Sequence, residues 1–231
     1  MFKIASYNIH KGVGTDRLRR PERILDVICE IDADIVALQE ADRRFGKRVS
    51  AIPTEMIAAQ TDYIPVAFDT RPDSIGWHGN AILIKKSHLV LHHAILEIPT
   101  IEPRGAVLAD ISAAGRAVRI VGMHLDLSGL RRRQQIRSIL SDIDAQPKPL
   151  PTILLGDLNE WSPHGGSLVE FIGAYDLAHT GPSFHSRRPV ARLDRIMVGA
   201  GLTIEDAGTH HSLKARNASD HLPVWADISF A

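Results

Sequence analysis

Six short polar groups punctuate the apolar runs of the chain: Tyr7-Asn8-Ile9-His10-Lys11-Gly12, Leu38-Gln39-Glu40, Gly122-Met123-His124-Leu125-Asp126, Leu155-Gly156-Asp157-Leu158-Asn159, Leu193-Asp194-Arg195-Ile196 and Ser219-Asp220-His221-Leu222-Pro223. Each sits where an apolar run ends, and in an α/β protein such strand ends supply the convergent groups of a site. Glu40 and Asp220 are hard oxygen donors of the kind that Mg²⁺ or Mn²⁺ takes one or two at a time, and Asn8 could complete such a shell or orient an anion. Asp157 and Asn159 are two residues apart, so on an extended segment their side chains point the same way and could handle one water together. The competing reading of that pair is a turn in which both side chains cap backbone donors. His124 and His221 offer acid–base chemistry near neutral pH, although a single strand-end histidine more often serves structure. Arg104, in Pro-Arg-Gly-Ala ahead of a strand, could clamp a phosphate or remain a solvated turn arginine.

Other polar groups read as surface. Lys11 could touch a phosphate, but a surface lysine is the simpler reading, and Arg131-Arg132-Arg133 opens a solvated helix face. His92-His93 and His210-His211 are adjacent pairs whose side chains diverge on a strand, so neither chelates one ion easily.

The elements that must carry these groups follow from periodicity. A strand-like run from Phe2 leads through a glycine-containing loop to Pro21, which suits a first helical turn, and Ile24, Leu25, Val27, Ile28 and Ile31 share one helical face. Asp34 to Gln39 reads as a buried strand, and Thr54 to Gln60 as a helix. Strands are expected at Tyr63 to Phe68, Asn80 to Lys85, Val90 to Ile98, Ala106 to Ile111 and Val118 to His124, forming a meander. A helix from Arg131 to Ile143 ends before Pro147, Pro149 and Pro151, ahead of a strand at Thr152 to Leu155. The last strands fall at Leu193 to Val198, Leu202 to Ala207 and Val224 to Phe230. No linker or compositional break divides the chain, so a single domain over residues 1–231 is expected, with two sheets packed face to face and helices outside.

With 231 residues, 44% apolar and 23% charged, the chain is an average globular sequence that needs no disulfide or metal to build a core. The single cysteine, Cys29, lies in an apolar stretch where a small buried thiol is the usual occupant, and one cysteine favours a reducing, cytoplasmic setting. No signal peptide or membrane span is read. The 27 basic and 27 acidic residues cancel, which disfavours nonspecific attraction to nucleic acid or an anionic membrane. No obligate protein partner is evident.

Taken in order, the six groups resemble those of the endonuclease/exonuclease/phosphatase superfamily, which includes pancreatic-type deoxyribonucleases, AP endonucleases, neutral sphingomyelinases and inositol polyphosphate 5-phosphatases. The likeness runs from Asn8 to His221 and is strongest to small bacterial members. It implies an α/β fold, a four-layer sandwich of two mostly antiparallel sheets with helices outside, and cleavage of a phosphoester with Mg²⁺ or Mn²⁺. It implies that Asp157 is general base or orients water, that Asn159 positions water and phosphate, and that Asp194 pairs with His221. His124 matches a second family histidine where AP endonucleases carry tyrosine, which disfavours that assignment. Asn80 matches a position that buttresses the site and Glu40 matches a metal position, with Asp220 and Asn8 its candidate partners from their donor chemistry.

The resulting expectation is a metal-dependent phosphodiesterase or phosphatase acting on a small-molecule or lipid-derived phosphoester. The alternative is a nuclease acting on DNA or RNA, which needs a basic groove tracking phosphates that the balanced charge does not suggest. A catalytically dead binding module would have lost one of the key residues. A zinc hydrolase is disfavoured because no His-x-Glu or His-x-x-x-His pair occurs at a suitable position and a single cysteine cannot form a thiolate cluster.

Overall fold

The β-branched and aliphatic runs of the chain form two six-stranded sheets in the computed structural model, which describes residues 1–43, 49–68, 73–100, 104–163 and 165–231. The first sheet contains β1 (Phe2–Asn8), β2 (Ile35–Gln39), β3 (Tyr63–Pro65), β4 (Ala81–Lys85), β11 (Leu202–Thr209) and β12 (Val224–Phe230), in the order β11-β12-β1-β2-β4-β3. The second contains β5 (Leu89–Leu96), β6 (Gly105–Ala113), β7 (Arg116–His124), β8 (Thr152–Asp157), β9 (Tyr175–Leu177) and β10 (Asp194–Gly199), in the order β5-β6-β7-β8-β10-β9.

Each sheet has one parallel pair, β1 with β2 and β7 with β8, and its other pairs are antiparallel. A parallel pair requires a crossover, and helices α1 (Pro21–Ile31) and α3 (Gly129–Asp144) supply the two, while α2 (Thr54–Gln60) lies in the connection from β2 to β3. α1 buries Ile24, Leu25, Val27, Ile28 and Ile31 against the first sheet, each worth about 1.5–3 kcal/mol when fully removed from water. It stops at Asp32, which adopts a left-handed conformation (φ 52°) and donates its N–H to the Ile28 carbonyl. α3 buries Ile136, Ile139 and Ile143 against the second sheet. The inner faces of both sheets share a third core, in which Ile4, Ile35 and Ile228 meet Val107, Ile120, Leu155 and Ile196. The four layers are therefore helix, sheet, sheet, helix, as expected.

Several readings change. The expected meander divides between the sheets: β4 inserts between β2 and β3, and only β5, β6 and β7 run on as a meander in the second sheet. The strand expected to reach Phe68 ends at Pro65, and short elements too brief for a periodic signature appear: α4 (Leu213–Ala218), β9 and the 3-10 turns His10–Gly12 and Gly166–Phe171. Cys29 is exposed, because the buried stripe of α1 runs through residues 24, 25, 27, 28 and 31 and leaves residue 29 on the outer side. Arg132 is buried rather than solvated; its guanidinium pairs with Glu160 at 3.0 Å.

Candidate active site

Strand register brings the singled-out residues to one edge. In the parallel pairs the carboxyl ends align, so Asn8 lies beside Gln39 and His124 beside Asp157. Antiparallel neighbours contribute their starts at the same edge: Asp194 faces Asp157, Gly105 faces His124 directly after Arg104, and Ala81 faces Leu38 directly after Asn80. β12 begins beside Ser6, so the Ser219–Leu222 turn that precedes it arrives there too. Gly156 is required on this path. Its φ is +152°, and a Cβ there would stand 1.9 Å from the Met123 carbonyl oxygen of β7.

Asp157, 1% exposed, is the hub. Its Oδ2 accepts from Asn8 Nδ2 at 2.9 Å and lies 3.5 Å from His124 Nε2 and 3.7 Å from His221 Nε2. Its Oδ1 accepts the backbone N–H of Asn159 at 2.9 Å. The turn reading and the water-handling reading are thus combined in one carboxylate, with one oxygen capping and the other facing the histidines. The expectation that Asn159 points the same way along an extended segment is not met. Asn159 has a left-handed φ of 51°, and its side-chain amide donates to the Leu125 carbonyl at 2.9 Å.

The two histidines differ in charge state. His221 Nδ1 bonds Asp194 Oδ2 at 2.8 Å, and Ser183 donates its hydroxyl to the same oxygen. Burial alone would lower the His221 pKa, but the carboxylates of Asp194, Asp157 and Asp220 lift it to about 10, so it is an imidazolium at neutral pH. His124 is 4% exposed, and burial, with Arg104, His221 and Lys11 adding positive charge, lowers its pKa to about 3 against the pull of Asp157. It is neutral, and Arg104 Nη1 is directed at its ring, in contact with Nε2 and 3.0 Å from Nδ1.

Glu40 and Asp220 flank the His10–Gly12 turn. Lys11 Nζ bonds Glu40 Oε2, and His10 Nδ1 is 3.7 Å from Asp220 Oδ1. Lys11 is therefore part of the edge rather than a free surface lysine. Burial pushes the Glu40 carboxyl up, yet Lys11, His10 and Arg104 together hold it below its ordinary value. Asn80 donates to the Gly105 carbonyl at 3.0 Å, tying the start of β6 beside Arg104. Among the described residues, Asp157, Asp194 and His221 present ligand atoms within 4.8 Å of one another and could hold a metal ion.

Sequence reasoning passed over Ser183, Phe184 and Glu160, and read Glu160's partner Arg132 as surface. Phe184 packs its ring 4.9 Å from that of His221. Glu160 accepts from Ser162 N, Ser167 N, Ser167 Oγ and Arg132 Nη2, which pins the loop after Asp157. The available signal was proximity in sequence: Glu160 follows Asn159 directly.

The Endonuclease/Exonuclease/phosphatase family model matches residues 5–221. No curated protein matches the chain. Among solved structures, a Bacteroides vulgatus protein described as endonuclease/exonuclease/phosphatase superposes with a TM-score of 0.77 at 18% identity, covering 100% of this chain and 99% of that one. A mannosyl-6-phosphatase from Bacteroides thetaiotaomicron gives 0.75 at 20%, with 100% of both chains covered. D. rerio TDP2 complexed with a single-strand DNA product gives 0.75 at 18%, covering 99% of this chain and 98% of that one. The match of the family model over nearly the whole length, on a fold shared with these structures, makes the chain a member of the Endonuclease/Exonuclease/phosphatase family.

Proposed function

We propose that the chain is a divalent-metal-dependent phosphoesterase that hydrolyses a small-molecule or lipid-derived phosphoester by attack of an activated water. The observation that carries this reading is the Asp157 carboxylate oxygen held by Asn8 and approached by one neutral and one cationic histidine. Cleavage of a phosphoester needs a group to orient water, positive charge on the phosphate oxygens and stabilisation of the leaving oxygen. Asp157 would orient and deprotonate the water. His221, its other nitrogen committed to Asp194, would donate from Nε2 to a phosphate oxygen, and Arg104 would add charge beside His124. Asn159, through its backbone and its bond to Leu125, would fix the Asp157 loop more than touch the phosphate.

The donor set suits a hard cation. Glu40 is held ionised with an ammonium against it, and the same edge carries two buried acceptors without partners, Asn80 Oδ1 and Asp194 Oδ1. Glu40 and Asp220, with Asn8 beside them, would hold Mg²⁺ or Mn²⁺, which would polarise the phosphate and neutralise developing charge. The Asp157, Asp194 and His221 group reads better as a proton-handling unit, because its imidazole holds a proton toward Asp194. The named activities of the neighbours span a sugar phosphatase and a protein captured with a DNA product, so this scaffold serves both small and polymeric phosphoesters. The test is a screen of purified protein with Mg²⁺ and Mn²⁺ against an aryl phosphodiester, an aryl phosphomonoester, phospholipids, plasmid DNA and RNA. Turnover of a non-nucleic-acid substrate above the nucleic acids supports the reading; exclusive cleavage of DNA or RNA reverses it.

A further inference from the structure

Trp161 stands four residues beyond Asp157 and is 63% exposed, an unusual position for an indole. It is not on a loose loop. The preceding Glu160 accepts from Ser162 N at 3.0 Å, Ser167 N and Oγ at 2.8 Å each, and Arg132 Nη2 at 3.0 Å, and Ser162 Oγ in turn accepts from Gly165 N at 3.0 Å. The indole meets the ring of Phe184 edge to face, with centroids 6.1 Å apart at 83°, and Phe184 lies 4.9 Å from His221. Three rings thus lead from the imidazole outward to an indole that is open to solvent. The segment that carries Phe184 also carries Arg187, Arg188 and Arg192, all exposed.

From this arrangement we infer that Trp161 is a substrate-binding platform, and that the phosphoester taken by the site carries a flat aromatic ring, such as a nucleobase, on one side of its phosphate. This inference rests on the phosphoesterase reading and narrows it. The physical argument is that a rigidly mounted indole loses little conformational freedom when a ring stacks on it, while its exposed apolar surface is removed from water. Stacking is indifferent to which base or aryl group is presented, whereas an acyclic glycerol group offers neither a π-face nor a cation to the indole. Phe184 in turn holds the His221 ring, so the platform and the phosphate-facing nitrogen are fixed relative to each other.

The experiment is isothermal titration calorimetry of wild type, Trp161→Ala and Trp161→Phe at fixed Mg²⁺, with adenosine 5′-monophosphate, ribose 5-phosphate, glycerol 3-phosphate and inorganic phosphate as probes. The expected result is that Trp161→Ala weakens binding of adenosine monophosphate by about tenfold, within the range that base–aromatic stacking supplies. Trp161→Phe should recover most of that loss, and affinity for the three probes without an aromatic ring should be unchanged. Equal binding of adenosine monophosphate by wild type and Trp161→Ala, a similar loss for ribose or glycerol phosphate, or no binding of adenosine monophosphate by wild type would each overturn the inference. Hydrolysis of an aryl phosphodiester by the same preparations separates the two failures. If wild type cleaves it with Mg²⁺, the phosphoesterase reading stands and only the platform is lost.

Discussion

His221 and His124 face the same carboxylate oxygen yet are held in opposite protonation states, because their second partners differ: an aspartate for His221 and an arginine for His124. In metal-free protein, ¹⁵N NMR of the imidazoles should find His221 doubly protonated up to about pH 10 and His124 neutral down to about pH 3. Raised above its unfolded value, the His221 pKa implies stabilisation that is fully present below about pH 6.5 and is lost as pH rises through about 10. Titration of both rings together near pH 6.5 would contradict the assignment. Across the His10–Gly12 turn, Glu40 is the residue on which cation dependence should turn. Glu40→Gln should shift the Mg²⁺ dependence of the rate to much higher concentration, since a hard-ion site loses one anionic oxygen. An unchanged titration would remove Glu40 from the metal site. That Asp157, the two histidines and Glu40 meet at one edge was legible in the sequence, because each lies at one end of an apolar run and the six groups in order resemble those of the family. The orientation of Asn159 was not, because β8 ends at Asp157 and Asn159, with a left-handed φ of 51°, lies outside the extended segment that alternation assumes.

The elements that hold these groups depend on a second, purely structural ion pair. Glu160, 4% exposed, receives four hydrogen bonds: one from Arg132 of α3, two from Ser167 in the Gly166–Phe171 turn and one from the Ser162 backbone N–H of its own loop. Burial raises its pKa, but the Ser167, Ser162 and Arg132 bonds more than reverse this and bring it to about 2. A depressed carboxylate pKa stabilises the fold above its unfolded value of about 4.3, and this contribution disappears as pH falls toward about 2. Glu160→Gln should therefore cost about 2–4 kcal/mol at pH 7, leaving Arg132 buried without its counter-charge, and the variant should lose less stability than wild type between pH 5 and pH 2. Denaturant melts across that pH range measure both effects; equal stability at pH 7 would show that the loop after Asp157 is not anchored this way. The burial of Arg132 was not readable from Arg131-Arg132-Arg133, since the partner that decides it lies 28 positions away. Likewise β3 and β4 share the strand signature of β5 to β7, and only packing assigns them to different sheets.

At the scale of the molecule, two crossovers of the same kind, β1-α1-β2 and β7-α3-β8, bring four carboxyl-terminal strand ends to one edge, and the antiparallel strands β4, β6, β10 and β12 deliver the rest. The two strand–helix–strand stretches and the polar groups at the run ends were legible in the sequence, and the four-layer sandwich was implied by the family resemblance; the strand order was not legible, because periodicity does not name a strand's partner. The net charge of zero extends the argument to substrate size. A nuclease engaging six to ten phosphates loses roughly 10³–10⁵ in affinity between 50 and 200 mM salt, whereas a compact phosphoester held by one or two cations loses far less. Catalytic efficiency on small phosphodiesters should accordingly fall only slightly over that range; efficient plasmid cleavage with a steep salt slope would favour the nuclease alternative. The central claim, metal-dependent hydrolysis centred on Asp157, is tested most directly by turnover of an aryl phosphodiester by wild type and Asp157→Asn, first in excess chelator and then with Mg²⁺ restored. The account predicts no turnover in chelator, recovery of wild type with Mg²⁺, and a variant that melts like wild type but is slower by about 10²-fold or more. Full activity in chelator, or near-wild-type turnover by the folded variant, would contradict it.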